Sequence, residues 1–379
     1  MAVLARLDRV RAHVHAASLD ALVVTHLPNV RYLTGFTGTA GALVLLPDRC
    51  LLMVDFRYAT AAQDLIASLP TGAIVIETVP QTYDAAIVDV LRRESSRRIG
   101  IEAAWLSVSR FNAMSSGLAA GTPTPLRASG PTPVLVATER LIERARMIKD
   151  AEEVEAIREG GRRISEIARR LADFVAPGRR EDEIAAELDS AIRAAGFSRP
   201  AFETIVASGP NSALPHARPT GRRLEAGDST VLDFGGIYEG YCVDLTRTVQ
   251  LGAPSAALRQ LYQAVAKAHE AAVAAVRPGV RPSAIDAAAR DVLVQHGLGE
   301  AFGHGTGHGI GLEIHEDPRI GREMPGLPDA PVEPGMIFTI EPGAYLPGTG
   351  GVRIEDDVLV TADGCELLTD APQLMMIDL

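Results

Sequence analysis

The second half of the chain contains an internal repeat, and a repeat of this kind restricts the folds that the chain can adopt. PGRREDEIAAELDSAIRAAGF (177–197) aligns with PGVRPSAIDAAARDVLVQHGL (278–298) at an offset of 101 residues, from 177 to 278. Each copy begins with a Pro-Gly turn and continues as a helix that ends at a glycine. Two further pairs of segments align, 225–236 with 333–344 and 240–249 with 351–360. The repeat therefore predicts two similar halves related by a pseudo-two-fold axis.

Both copies carry acidic residues at the same two strand positions. Asp233 aligns with Glu341, and Asp244 aligns with Glu355. In the first copy, a turn near Tyr238-Glu239 would pair Asp233 directly with Asp244 across a hairpin, with Cβ atoms roughly 4.5–5.5 Å apart. Because like charges in a half-buried site repel each other and lose hydration, a divalent cation between them would remove the conflict.

If the two hairpins meet at the pseudo-two-fold axis, they bring four carboxylates to one centre. Four negative charges balance two divalent ions, which is the composition of a two-metal hydrolytic site. The alternative is that the four acids are unrelated residues at strand ends. A register that differs by one residue would also place Asp233 and Asp244 on opposite faces of the sheet.

A glycine-rich segment, FGHGTGHGIGLEIHE (302–316), supplies candidate nitrogen ligands. His304, His308 and His315 lie within twelve positions of one another, interleaved with glycines. The glycines disfavour a helix, so we predict a loop that enters a strand. His216, in SGPNSALPHARPT, is a fourth candidate that carries little weight alone. Three histidines among glycines that allow close backbone approach indicate a functional site.

Composition sets the broad class of the protein. The chain has 379 residues, 47% of them hydrophobic, as expected for a globular protein of about two domains. Its net charge of −11, from 37 basic and 48 acidic residues, argues against nucleic acid as a partner. No apolar run approaches the roughly 20 residues of a membrane span, and the first residues lack the apolar core of a signal peptide. Three separated cysteines form no disulfide framework, so we expect a cytoplasmic protein.

The pattern of the chain changes near residue 140. Before this point, short apolar runs alternate with helical stretches such as 83–96, which predicts an α/β domain with its own sheet. A Pro/Gly-rich connection then leads into a charged helix. We place the boundary within 136–147 and predict one domain at 1–137 and a second at 138–379.

Five motifs, taken in order along the chain, are similar to a known family. They are PHARPT, LDFGGIYEGYCVDLTRT, FGHGTGHGIGLEIHE, GMIFTIEPGAY and GVRIEDD. Together they resemble the metallopeptidases of the methionine aminopeptidase and prolidase group, which have the creatinase or pita-bread fold. The resemblance is to the Xaa-Pro branch, bacterial aminopeptidase P and Xaa-Pro dipeptidase. It extends into the first domain through LPNVRYLTGFTG (27–38) and VDFRYA (54–59).

The resemblance implies an α/β chain with an N-terminal creatinase-like domain and a C-terminal pita-bread catalytic domain. It implies that a water activated by two divalent metal ions attacks the carbonyl before proline, in dipeptides or short peptides. Manganese is expected as the metal, with cobalt, iron or zinc as alternatives, and the protein is expected to be a homodimer. The implied metal ligands are Asp233, Asp244, His308, Glu341 and Glu355.

The remaining implied site residues act on the substrate or support the ligands. Glu341 is the expected proton acceptor, in addition to its role as a ligand. Arg353 shares a strand face with Glu355 and is expected to brace it, and Tyr345 ends the GMIFTIEPGAY motif that contains Glu341. The expected substrate-side histidines are His216, His304 and His315.

Two other classes of function are compatible with this fold. One is a metal-free amidinohydrolase of the creatinase type, and the other is a non-catalytic binding module. Both should lack several of the acidic ligands, whereas all five positions are filled here. Substrate length is open, because the 315–335 segment is short and either Arg319 or Arg322 is available to bind a proline carboxylate. We expect activity on both Xaa-Pro dipeptides and short Xaa-Pro peptides.

Overall fold

The computed structural model describes residues 2–67, 69, 72–120, 133–373 and 375–377. The chain divides into two compact units, one ending at Arg146 and one beginning at Met147. No helix among the described residues is both long enough and apolar enough to span a bilayer.

The first unit is built on a six-stranded mixed sheet with the strand order β4-β3-β2-β1-β5-β6. The pairs β1–β5, β5–β6 and β3–β4 are parallel, and the pairs β1–β2 and β2–β3 are antiparallel. Apolar strands pack against helices α4 and α5 to form its core. The elements are α1 (Ala2–Ala16), β1 (Ala21–Val24), α2 (Leu27–Thr34), β2 (Ala42–Leu45), β3 (Cys50–Val54), α3 (Ala59–Ala67), β4 (Ile74–Thr78), α4 (Tyr83–Arg93), β5 (Arg98–Glu102), α5 (Val108–Ala120), β6 (Val134–Thr138) and α6 (Glu143–Arg146).

The second unit consists of helices around three small sheets. The strand orders are β17-β9-β8-β7, β11-β10-β12-β15-β16 and β13-β14. Its helices are α7 (Ala151–Ala168), α8 (Leu171–Phe174), α9 (Glu181–Ala194), α10 (Ala256–Ala275) and α11 (Pro282–Gln295). Its strands are β7 (Ile205–Ser208), β8 (Ser229–Tyr238), β9 (Tyr241–Leu251), β10 (Gly307–Gly309), β11 (Glu316–Ile320), β12 (Ile337–Ile340), β13 (Gly343–Leu346), β14 (Gly350–Arg353), β15 (Asp356–Val360), β16 (Cys365–Leu367) and β17 (Met375–Ile377).

The structure confirms the predicted α/β class and the internal repeat. Helices α9 and α11 are the two copies of the repeated helix. Each helix buries an apolar residue at every fourth position, and the buried positions of the two helices match at the offset of 101 residues. Each copy also has its own hydrophobic core, one beneath α9 and the β8–β9 hairpin and one beneath α11 and the β12–β15 strands. The matched buried positions are Ile184, Leu188 and Ile192 in α9, and Ile285, Ala289 and Leu293 in α11.

The predicted turn of the first hairpin was wrong by one residue. Tyr238 pairs with Tyr241, so the turn is Glu239-Gly240, and Asp233 therefore pairs with Thr246 rather than with Asp244. Both turn residues have positive φ, as the tight two-residue hairpin turn requires, and Gly240 adopts that conformation without strain. The register moves by two residues, so Asp233 and Asp244 remain on one face of the sheet as diagonal neighbours.

The second copy forms a longer, interrupted hairpin from β12–β13 and β14–β15. Ile340 pairs with Asp356 and Gly343 pairs with Arg353, so Glu341 and Glu355 lie at the break between these pairs. At the same point Glu355 forms an isolated bridge with Thr246 of the first hairpin. The two copies of the repeat thus meet where all four aligned acidic residues lie.

Candidate metal centre

The acidic residues of both hairpins converge on His308 of β10. One ligand atom each of Asp244, His308 and Glu355 lies within 4.8 Å of the other two. His308 Nε2 is 3.8 Å from Asp244 Oδ2 and 3.7 Å from Glu341 Oε1. Asp233 lines the same cavity, which has a volume of about 500 Å³. The structure therefore brings the five predicted ligands together in the lining of a single cavity.

The protein compensates only part of the negative charge at this centre, through Arg353. Asp233 Oδ1 and Asp244 Oδ1 are buried and accept no hydrogen bond. Burial raises the pKa of Asp244 well above its usual range, and the charges of Glu355 and Asp233 raise it further. Burial also raises the pKa of Glu355, and Glu341 and Asp233 add to the effect. Unsatisfied carboxylate oxygens of this kind fit hard divalent cations.

The pKa of Glu341 is raised to about 7 by burial, against the opposing effect of the Arg353 charge. Its backbone N–H donates to the carbonyl of Thr306 at 2.7 Å, which ties this residue to the glycine-rich segment. Glu341 is thus held by its backbone while its carboxylate faces His308.

His308 is oriented as a metal ligand would need to be. Its Nδ1 lies 3.1 Å from the carbonyl oxygen of Gly309, to which it donates, so the lone pair is on the Nε2 that faces the carboxylates. Burial lowers the pKa of His308 to about 4, so the imidazole is neutral near pH 7. Neutral imidazole is the form that binds metal, and a hydrogen bond at the other nitrogen fixes its tautomer.

The other three predicted site histidines lie around the same cavity. The His315 ring centroid is 4.4 Å from that of His308, in an edge-to-face arrangement. His304 Nδ1 lies 2.8 Å from the Gly305 carbonyl and its Nε2 lies 3.2 Å from the Tyr345 hydroxyl. Burial lowers the pKa of His304 to about 4. His216 is exposed and lines the cavity from the loop after β7.

Arg353 connects several of these groups. It donates to Asp233 Oδ2, to the Tyr345 hydroxyl at 2.9 Å and to the Pro215 carbonyl at 3.0 Å. Its contact with Glu355 is indirect: Arg353 Nε donates to Thr246 Oγ1 at 3.2 Å, and Thr246 donates to Glu355 Oε2 at 2.5 Å. Arg353 therefore supports both acidic positions of the centre and the loop that carries His216.

Sequence reasoning missed a further buried acid, Asp357. Its Oδ2 accepts the backbone N–H of Asp244 at 3.0 Å, and its Oδ1 accepts no hydrogen bond. Burial raises its pKa well above the usual range. The run of three acids that begins at Glu355 could have indicated Asp357, because strand alternation places residues 355 and 357 on one face. The hydrogen bond from Thr246 to Glu355 was also missed, because a threonine within a strand is common and does not indicate a functional site.

The outer part of the cavity carries charged residues of both signs. Glu203 and Arg218 lie there 3.4 Å apart, and both are mostly exposed. Arg319 also lines the cavity, and its Nη1 donates to the backbone carbonyl of Arg322 at 3.2 Å. Of the two arginines proposed for carboxylate binding, Arg319 is the one among the described lining residues.

Comparison with known proteins places this geometry in a family. The profile of metallopeptidase family M24 matches residues 155–362, and that of the creatinase/prolidase N-terminal domain matches residues 6–148. The chain is 36% identical to the uncharacterized peptidase YqhT of Bacillus subtilis, over 98% of this chain and 99% of that protein.

Solved structures agree with the family match. An Xaa-Pro dipeptidase from Bacillus anthracis superposes with a TM-score of 0.91 at 34% identity, covering 99% of this chain and 100% of that one. An X-Pro aminopeptidase from Thermotoga maritima superposes with a TM-score of 0.84 at 32% identity, covering 97% of this chain and 100% of that one. With both domain profiles matched and the carboxylate–histidine cluster in place, the chain belongs to metallopeptidase family M24.

Proposed function

We propose that this peptidase hydrolyses the bond before proline in Xaa-Pro dipeptides and in short peptides that begin Xaa-Pro, using two divalent metal ions. The observation that carries the proposal is the buried cluster of carboxylates around neutral His308, in which one oxygen each of Asp233 and Asp244 has no hydrogen-bond partner. The names of the similar dipeptidase and aminopeptidase support the substrate class. The proposed metal ligands are Asp233, Asp244, His308, Glu341 and Glu355.

The finer assignments are also proposals. Oxygen-rich ligation favours manganese, with cobalt, iron or zinc as alternatives. Three free cysteines suit a reducing compartment and support a cytoplasmic location. The proposed homodimer rests on the family resemblance, and analytical ultracentrifugation tests it. Domain limits at 1–137 and 138–379 are proposed from the change of sequence pattern near residue 140.

When bound, the metal ions would polarise the scissile carbonyl and lower the pKa of a water molecule. In the proposed mechanism Glu341 accepts a proton from that water, because its carboxylate faces the ligand His308. His315 and His216 line the cavity and donate hydrogen bonds to the carbonyl oxygen or hold the peptide. The proline nitrogen must gain a proton to leave, and in the proposed mechanism Glu341 returns the one that it accepted.

Metal dependence tests the proposal directly. Protein dialysed against a chelator should lose hydrolysis of Ala-Pro, and manganese or cobalt should restore it. Ala-Ala should remain uncleaved in both states. A metal-free amidinohydrolase or a binding module would show no such dependence, so full Ala-Pro hydrolysis by metal-free protein would reject the proposal.

The ligand set is tested by Asp244→Asn, which preserves shape but removes one charge from the centre. Turnover of Ala-Pro should fall by roughly 100-fold or more, and metal affinity should fall with it. The matched control is Asp291→Asn on the exposed face of α11, which should behave as wild type. Unchanged turnover in the Asp244 variant would show that Asp244 is not a ligand.

Substrate length is tested at Arg319. If its guanidinium binds the proline carboxylate, Arg319→Met should lower kcat/KM for Ala-Pro by roughly 10- to 100-fold, the range of a charge-assisted contact. The effect on Ala-Pro-NH₂ and Ala-Pro-Ala should be much smaller, and Arg322→Met is the matched control. Equal losses on all three substrates would exclude carboxylate recognition by Arg319.

A further inference from the structure

Each of two substrate-side histidines lies in a segment that is fastened by a buried carboxylate from the repeated helix. In the first copy this carboxylate belongs to Glu181, the first residue of α9, which is fully buried. It accepts hydrogen bonds from both ends of the segment 208–220, here called the His216 segment. The donors are the backbone N–H and hydroxyl groups of Ser208, both at 2.7 Å, the backbone N–H and hydroxyl of Thr220, at 3.1 and 2.6 Å, and the side-chain amide of Asn211, at 3.0 Å.

Only a carboxylate can accept all of these bonds. Glutamine has the same shape, but one of its two terminal atoms is an NH₂ donor that would face another donor. The two ends of the His216 segment are twelve residues apart in sequence and are joined by this single side chain. Between them, the segment places His216 and Pro215 at the cavity.

The second copy has a corresponding arrangement on α11. Asp286 is buried and accepts the backbone N–H and the hydroxyl of Thr306 at 3.1 and 2.9 Å. It also pairs with Arg290, at 2.9 Å for both contacts. Arg290 in turn donates to the carbonyls of Phe302 and His304 at 3.0 and 2.9 Å. The segment 302–306, here called the His304 segment, is therefore held at both ends.

We propose that Glu181 and Asp286 are positioning residues, one in each copy of the repeat, that set the locations of His216 and His304 respectively. Neither carboxylate is among the described residues that line the cavity, so each acts through its histidine segment. A catalytic group displaced by about 1 Å can lower the rate by roughly 100-fold, so loosening either segment should be measurable. The inference rests on the proposed function only for its kinetic test.

A crossed set of double mutants tests this proposal. Glu181→Gln and Asp286→Asn are each combined with His216→Ala and with His304→Ala in the metal-loaded enzyme. As single variants, Glu181→Gln and Asp286→Asn should each lower kcat/KM for Ala-Pro by roughly 10- to 100-fold. Glu181→Gln should have little further effect in the His216→Ala background and its full effect in the His304→Ala background. Asp286→Asn should show the opposite pattern.

Two control substitutions use exposed acids on other helix faces. Glu270→Gln on α10 and Asp291→Asn on α11 should leave kcat/KM unchanged. Metal content, measured by elemental analysis, should be the same in all variants. Additive effects of Glu181→Gln and His216→Ala, or loss of metal in Glu181→Gln, would overturn the proposal.

Two further measurements apply if a variant does not fold or if the proposed function is wrong. If Glu181→Gln or Asp286→Asn does not fold, Thr220→Val and Thr306→Val remove one donor each and enter the same cycles. If the wild-type enzyme does not cleave Xaa-Pro bonds, the proposed function fails, and the positioning roles are read from histidine NMR signals instead. Glu181→Gln should then shift the His216 signal and not that of His304; shifts of both or of neither would contradict the inference.

Discussion

Glu355 and Asp356 are consecutive, buried acidic residues that lie in opposite electrostatic surroundings. Glu355 faces Glu341 and Asp233, and burial together with these charges raises its pKa well above the usual range. Asp356 is 2.7 Å from Arg247 Nη2 and 3.1 Å from His269 Nε2. Burial alone would raise the pKa of Asp356, but Arg247 and His269 outweigh it and the pKa is lowered.

The contrast arises because successive side chains on a strand point to opposite faces. Glu355 points into the carboxylate centre, and Asp356 points into a closed cluster with Arg247 and His269. In that cluster Arg247 also donates to the carbonyls of Glu355 and Ala371, at 2.6 and 2.9 Å. The closed cluster therefore supports the backbone directly behind the carboxylate centre.

The two clusters should contribute differently to stability. The closed cluster is completed by the protein's own groups, so it should be needed for folding. The carboxylate centre carries more negative charge than Arg353 balances, so it should weaken the metal-free fold and strengthen the metal-bound one. Four predictions test this difference.

The largest effect is expected from Arg247→Met. Removal of the guanidinium leaves Asp356 buried with too little compensation, which should lower the free energy of unfolding by about 3–5 kcal/mol. The matched control is Arg259→Met, because Arg259 is exposed on α10. Urea denaturation of the two variants measures the difference. A loss below about 1 kcal/mol for Arg247→Met would mean that the closed cluster is not a stabilising unit.

Metal binding should stabilise the wild-type protein. A ligand that binds only the folded state at 100 times its Kd adds about 2.7 kcal/mol. We therefore expect manganese to raise the thermal unfolding midpoint of wild type and to have a much smaller effect on Asp244→Asn. Thermal unfolding curves recorded over a manganese titration measure the shift of the midpoint in each protein. Equal shifts in both proteins would place the stabilising ion elsewhere.

In metal-free protein, Asp244→Asn should increase stability. The substitution removes one of several like charges that raise each other's pKa, and one pKa unit corresponds to about 1.4 kcal/mol. We expect a gain on the order of 1 kcal/mol, with Asp356→Asn showing a loss in the same assay. Denaturation in the presence of chelator measures both. A loss in the Asp244 variant would indicate that this carboxylate is compensated within the protein.

The smallest effect is expected at the exposed pair of Arg158 and Glu366. Its geometry is bidentate, with 2.9 and 3.0 Å contacts, but both side chains are about 40% exposed. Arg158→Met should therefore cost only about 0.2–1 kcal/mol.

The pH dependence of this pair has a defined sign. The hydrogen bond from Arg158 lowers the pKa of Glu366, so its contribution is present above the pKa of an unfolded glutamate and is lost as the pH falls. Denaturation at pH 7 and near pH 3 should show the Arg158 variant converging with wild type. An effect as large as that of Arg247→Met would remove the distinction between buried and exposed pairs.

Much of the architecture could be predicted from local pattern. The repeat and the α/β class follow from residue types and spacings, the family resemblance rests on the five quoted motifs, and all three are confirmed. The first hairpin shows the limit of this reasoning. Its turn was wrong by one residue because the sequence offers two adjacent positions, Tyr238-Glu239 and Glu239-Gly240, and only backbone conformation decides between them. Since the period of a strand is two, the face of each acid was unaffected.

The supporting residues were not predictable in the same way. Glu181 and Asp286 are ordinary helix-start and helix-interior acids by pattern, and the segment residues that they bind directly lie 20 to 39 residues away in the chain. Arg353 was expected beside Glu355, whereas its direct carboxylate partner is Asp233, 120 residues away. Such contacts depend on how the loops and strands pack.

Residue identity and periodicity placed four acids on strand faces that meet at a pseudo-two-fold axis, because charge and alternation are local properties of the chain. Periodicity also put Glu355 and Asp356 on opposite faces. Which of these two acids would be compensated was decided only by tertiary structure. Asp356 receives its cation from Arg247, 109 residues earlier, whereas Glu355 meets other acids. Burial makes this choice of neighbours decisive, since little solvent is left to screen the charges.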